Sequence, residues 1–149
     1  MKENFADTTR VSLKPADINV GDAVTPMDIA LSHTIIASTA IASRDFMPVH
    51  HDKDYALSQF APDIFLNILS TNGFVSRYLT DWAGPNAWVK HIDIKLGVPA
   101  VPNQTLRFRG EVLEKSAADN SVDITVSVTA ANDSGNHATG KATICLPAD

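Results

Sequence analysis

The spacing of hydrophobic and polar positions changes part-way along the chain. Beyond Pro85 the period is two. Ile92, Ile94 and Leu96 alternate with His91, Asp93 and Lys95, and Leu106, Phe108, Gly110 and Val112 with Arg107, Arg109 and Glu111. Val122, Ile124, Val126 and Val128 alternate with Asp123, Thr125 and Ser127, and Gly140, Ala142, Ile144 and Leu146 with Lys141, Thr143 and Cys145. Alternation with one polar face predicts antiparallel strands solvated on one side. Ala118-Asp119-Asn120 and Asn132-Asp133-Ser134-Gly135 read as the turns between them.

Before Pro85 the spacing is helical. Asp63 is the expected N-cap of a long helix that Gly84-Pro85 stops. Between them, Val75, Tyr78, Leu79 and Trp82 recur at helical spacing, and Phe65, Leu66, Ile68 and Leu69 crowd the first half. Apolar residues on more than one stripe predict burial on several sides. Such a helix of about twenty residues is ~30 Å long. Upstream, Ser32 is a candidate N-cap for a helix over residues 33–43, with Ile35, Ile36, Thr39 and Ala40 turned inward. A short helix over residues 52–59 is expected with Asp52 as its cap and Tyr55 and Ala56 packed inward. Val20-Gly21-Asp22 is a turn, and residues 23–30 form an opening strand that Pro26 demotes to an edge or bulge. Met1 to Lys14 reads as a polar, frayed lead-in. The class is α+β. A long helix followed by antiparallel strands suits a sheet curled around a helix, but periodicity does not choose that over other α+β packings.

At 149 residues the chain reads as one domain, residues 1–149. Twelve basic against seventeen acidic residues, with no Lys/Arg cluster, argue against a nucleic-acid surface. A net charge of −5 still permits an anionic ligand such as coenzyme A, which needs only a local basic patch. Arg77 and Asp81 interrupt the longest apolar stretch, so no membrane span is expected. The first residues carry no apolar leader, and the sole cysteine, Cys145, allows no internal disulfide; both suit a reducing cytoplasm. No metal, nucleotide or flavin motif is seen, so no cofactor is expected.

The densest candidate chemistry lies in Arg44-Asp45-Phe46-Met47-Pro48-Val49-His50-His51-Asp52. Pro48 fixes its own φ and disfavours helix at Met47, so the chain bends between Asp45 and His50. A bend can aim both side chains at one point. A carboxylate and an imidazole there can hold a water, take its proton and return a proton elsewhere. Taken singly, Asp45 reads as a turn or capping residue and His50 as a hydrogen-bonded, partly buried histidine. His51 reads as solvent-facing, and His33, His91 and His137 as surface or sheet residues.

The stretch resembles the hydratase motif of the MaoC-like dehydratases, which include the R-specific enoyl-CoA hydratases. That motif runs Gly-Asp-x-Asn-Pro-x-His-x-Asp-x-x-x-Ala, and Asp45, Pro48, His50, Asp52 and Ala56 fall in register with it. Arg44 replaces the glycine and Met47 the asparagine. The register match turns the reading of Asp45 and His50 toward catalysis. The resemblance implies a hotdog fold, an antiparallel sheet wrapped around the long helix, and dimers or larger assemblies. It implies reversible hydration of a trans-2-enoyl-CoA, with coenzyme A present as part of the substrate and Asp45 and His50 sharing the base and acid roles. It also implies an oxyanion donor at the start of the long helix, where Asn67 stands near the family's glycine, and a small polar residue near the site one turn on, where Ser70, Thr71 and Asn72 stand. The run from Asp63 through Asn72-Gly73-Phe74 to Asp81-Trp82-Ala83-Gly84-Pro85 is similar to the small MaoC subunit of steroid side-chain hydratases. That likeness implies a bulky acyl group and either a homodimer or a hetero-oligomer with a second MaoC-like subunit. Lys53, Arg77, Lys90 and Lys95 are candidate contacts for coenzyme A phosphates, and none is assigned. Two alternatives stay open. An acyl-CoA thioesterase usually relies on an acid on the central helix, where only Asp81 stands, near the C-terminal end, or in the following strand region; a non-catalytic binding subunit is kept open by Arg44 and Met47.

Overall fold

The computed structural model describes residues 11–148. Residues 1–10 of the expected lead-in lie outside the described residues. The rest of that lead-in is docked: the Leu13 N–H donates to the Ala83 carbonyl (2.9 Å) and Ser12 Oγ accepts from the Asn86 N–H (2.8 Å).

The elements run β1 (Met27–Ala30), α1 (His33–Ala42), α2 (Lys53–Ser58), α3 (Ile68–Ala83), β2 (Trp88–Leu96), β3 (Thr105–Arg109), β4 (Val112–Ala118), β5 (Ser121–Asn132) and β6 (Gly135–Pro147). One turn of 3₁₀ helix, Pro48–His50, lies between α1 and α2. All strand pairs are antiparallel, in the order β1-β3-β5-β6-β2, with β4 also on β5. The run expected as one strand over residues 106–112 is two, which take successive lengths of the same β5 edge. Gly110 marks the break: a Cβ there would run into the Ser127 carbonyl oxygen, and the Glu111 N–H turns to Ser127 Oγ (3.0 Å). The alternation itself is borne out. Ile124, Val126, Val128, Ile144 and Leu146 point inward and are buried.

The sheet curls around α3, the arrangement the resemblance implies. Val75, Tyr78, Leu79 and Ala83 form the buried face of α3, and the Tyr78 ring packs on Phe108 with centroids 5.7 Å apart. The larger apolar side chains, such as Val75 and Leu79, each contribute roughly 1.5–3 kcal/mol by leaving water. The helix is shorter than expected. Its N-cap is Asn67, not Asp63, and its 16 residues span ~24 Å. Residues 64–67 lie outside helix and strand, with Ile64 and Leu66 buried and the Leu66 N–H bonded to the Ala100 carbonyl (2.9 Å). Asp63 accepts from the Ile64 N–H and from Lys53 Nζ, both at 2.8 Å. Burial on several sides is also not found within this chain: Ile68 and Leu69 are about half exposed. No helix among the described residues is long and apolar enough to cross a membrane.

Candidate active site

Asp45 is placed by the way α1 ends. Ser32 starts that helix by accepting from the Ile35 N–H (3.1 Å). At the other end the Arg44 N–H donates to the Ile41 carbonyl and the Asp45 N–H to the Ala40 carbonyl, both at 2.9 Å. This is a Schellman closure, which requires a left-handed residue at its penultimate position. That residue is Arg44, at φ 58°. The motif glycine that Arg44 replaces therefore corresponds to a backbone position where glycine is unstrained. Arg44 keeps the same turn at some conformational cost.

His50 arrives from the other side of the bend. Pro48 opens the 3₁₀ turn, and its carbonyl accepts the N–H groups of His51 (3.0 Å) and Asp52 (2.8 Å). Asp52 then caps α2 by accepting from the Tyr55 N–H (3.0 Å), as expected. The His50 side chain is buried against Phe65: Nδ1 lies 2.7 Å from the Phe65 carbonyl, and the two rings meet edge to face at 5.0 Å. A carbonyl can only accept, so neutral His50 carries its proton on Nδ1. Nε2 then presents a lone pair 3.4 Å from Asp45 Oδ2. Two acceptors face one another, which calls for a proton or a bridging donor between them.

Asn67 ties this pair to α3. Its side-chain carbonyl accepts from the Ser70 N–H (2.9 Å), capping the helix. Its amide Nδ2 donates to both Asp45 Oδ2 and Ser43 Oγ, each at 2.9 Å. The Asn67 hydrogen bond holds the Asp45 carboxyl below its usual range; burial opposes this, and the Met47 N–H and, when it is protonated, the His50 ring add to it.

A cleft of about 310 Å³ opens on the pair. Phe65 to Ile68 line one side and Leu96 to Pro99 the other, with His137 at the back. The structure thus brings Asp45, His50 and Asn67 together. The Ser70 N–H holds the Asn67 side chain, while the Ser70 side chain lines a neighbouring cavity between α1 and α3 with Thr39, Ser43 and Phe74. His51 and His33 are exposed, as expected. Lys53, Arg77 and Lys90 pair with Asp63, Asp81 and Asp123, and none lines the cleft.

His137 is the correction. It is expected as a surface or sheet residue with no recognisable partner; it does lie in β6, but it is 2% exposed and both ring nitrogens have partners. Opposite it, β5 pairs Ala130 with Ala138 and then Ala131 with Asn136, so His137 is the extra residue of a β-bulge. A bulge re-aims the side chain it inserts. His137 Nδ1 lies 2.8 Å from the Val98 carbonyl and Nε2 2.9 Å from Thr71 Oγ1. Burial lowers the His137 pKa, against the Val98 hydrogen bond, which raises it. Nothing in the alternation of β6 signals the inserted residue.

A sheet wrapped on a helix, with an acid–imidazole pair at the helix start, defines a hotdog-fold domain. Residues 17–133 match the MaoC-like domain model, and the chain belongs to the MaoC-like family. It is 47% identical over 120 residues to the 3-oxo-4,17-pregnadiene-20-carboxyl-CoA hydratase beta subunit of Mycobacterium tuberculosis, a match covering 80% of this chain and 90% of that one. Among solved structures it resembles a chain of the ChsH1-ChsH2 complex of the same organism (TM-score 0.79, 43% identity, 86% of this chain and 98% of that one). The (R)-hydratase of Aeromonas caviae shares the fold (TM-score 0.78, 18% identity, 88% of this chain and 98% of that one).

Proposed function

We propose that this chain hydrates a trans-2-enoyl-CoA to the 3-hydroxyacyl-CoA, with Asp45 and His50 activating the water. The observation that carries this reading is the pair of facing acceptors, Asp45 Oδ2 and His50 Nε2, 3.4 Å apart on the cleft. A water on the cleft side of the pair, within hydrogen-bond reach of both, is oriented by them and keeps a lone pair free for the β-carbon. As the C–O bond forms, one member of the pair takes the water proton. The α-carbon receives a proton from the pair, which returns to its starting charge while H and OH are added across the double bond. Charge building on the thioester oxygen is met by N–H groups at the start of α3, where the positive end of the helix dipole lies. Asn67 and Ile68 stand at that start and line the cleft.

The 47% identical hydratase subunit supports a steroid side-chain acyl group. A steroid acyl group together with the pantetheine arm of coenzyme A outgrows a 310 Å³ cleft, which lies at the small end for ligand pockets. A second MaoC-like subunit completing the pocket fits that shortfall. It also fits the exposed Trp88 and Leu96 on β2, a strand that among the described residues pairs only with β6. The thioesterase alternative gains no support, because Asp81 pairs with Arg77 (3.2 Å) and does not line the cleft.

The test is loss of conjugated enoyl-thioester absorbance over a panel of trans-2-enoyl-CoAs, from short chains to a steroid side chain. The full chain is assayed alone and with a second MaoC subunit. Asp45→Asn is expected to lower kcat by about 10²- to 10⁴-fold with the fold intact. Turnover indifferent to Asp45→Asn, or none on any member of the panel, sinks the reading.

A further inference from the structure

The two sides of the cleft are held in different ways. The Gly97–Pro99 wall is an extension of the β5–β6 hairpin. Gly97 donates to the His137 carbonyl (2.8 Å), Val98 to the Asn136 carbonyl (3.0 Å), and the Asn132 side-chain amide to the Pro99 carbonyl (3.0 Å). The approach at Gly97 is so close that a Cβ there would run into the Asn136 carbonyl oxygen. The opposite side, Phe65 to Ile68, leads into the first turn of α3, and before that turn the Leu66 N–H bonds to the Ala100 carbonyl just past the wall (2.9 Å). Among the described residues, one side-chain hydrogen bond joins that turn to the hairpin, from Thr71 Oγ1 to His137 Nε2.

Proton accounting fixes its direction. The Val98 carbonyl accepts, so the His137 proton sits on Nδ1, and Nε2 of the neutral ring is an acceptor. The Thr71 hydroxyl therefore donates to Nε2. It also lies 3.1 Å from the Asn67 carbonyl, but that carbonyl already accepts from the Thr71 N–H (3.1 Å), whereas Nε2 at 2.9 Å has no other donor among the described residues. The chain Val98 carbonyl–imidazole–Thr71 thus runs unbroken from the wall to the helix, four residues after Asn67.

We propose that His137 and Thr71 are positioning residues for the hydration: their hydrogen bond sets the width of the slot between the Gly97–Pro99 wall and the first turn of α3. This rests on the hydratase reading, since that slot is where the thioester carbonyl lies. The strut touches no reacting atom. Its effect is on how well the helix N–H groups meet the charge that develops in the transition state.

Thr71→Val keeps the side-chain shape and removes the hydroxyl. It is expected to lower kcat about tenfold while KM moves less than about twofold, because a slightly displaced donor is felt mainly in the transition state. Thr71→Ser is expected to restore kcat. An unchanged kcat in Thr71→Val, or an equal loss in Thr71→Ser, overturns the proposal. Nitrogen-15 NMR of the full chain supplies a readout free of turnover: His137 should carry its proton on Nδ1 with Nε2 bare, and a proton on Nε2 overturns the strut. If the wild-type chain, alone and with a second subunit, hydrates no enoyl-CoA, the hydratase reading fails while the NMR result still decides the strut.

Discussion

His50 and His137 are held alike and used differently. Each ring is buried, and each sets Nδ1 against a backbone carbonyl, that of Phe65 or Val98. The difference lies at Nε2. In His137 it is filled by the Thr71 hydroxyl; in His50 it faces Asp45 across the cleft. A backbone carbonyl fixes a tautomer but does not make a ring reactive. What occupies the second nitrogen decides whether the ring moves protons or holds walls apart.

Three substitutions sharpen this contrast. His50→Ala should have the largest effect, a fall in kcat of about 10²- to 10⁴-fold, against the roughly tenfold expected for Thr71→Val. Losses of equal size in steady-state assays would erase the distinction between the two rings. Asn67→Asp comes next. Aspartate keeps the cap of α3, but it replaces the donor facing Asp45 with a second carboxylate. Asp45 now titrates below its usual range and so stays ionised to lower pH. Without the donor, and beside a like charge, its pKa rises. The acid limb of the kcat/KM profile should then move to higher pH, and activity should be lost where the wild type keeps it. A limb that stays in place removes Asn67 from the tuning of Asp45. Arg44→Gly should have the smallest effect. Relief of a left-handed residue is worth about 1–2 kcal/mol, offset by about 0.5–1 kcal/mol of glycine entropy. A small rise in thermal midpoint with unchanged turnover is the expected result.

Much of this was legible because local chemistry and global placement agree. Ser32 and Asp52 cap the helices they were expected to cap, and β5 alternates as read. Asp45 and His50 stand out because the motif around them is a run of turn and cap residues with fixed spacing. The unread parts are places where one residue serves a distant element. The Asp63 carboxylate takes the Ile64 N–H and Lys53, while the unbroken apolar run Ile64-Phe65-Leu66 does not by itself choose between helix and non-helical chain. Gly110 breaks a strand because Ser127, far along the chain, comes too close. The Asn67 side chain reaches Asp45 and Ser43 across more than twenty residues. His137 is turned inward by a one-residue mismatch with β5, which no pattern within β6 records.

The Schellman closure of α1 bears on how the chain tolerates length changes. Asp45 is the third residue past a helix closed at both ends, ten residues from His33 to Ala42. Deleting one residue from α1 would turn its end by about 100° and draw it back by ~1.5 Å. The carboxylate would swing away from Asn67 and His50 together. Substitutions along the outer face of α1 should be readily accepted by drift. Insertions and deletions within it should be purged, so the length of this helix is a constraint on the site as strict as the identity of the acid it delivers.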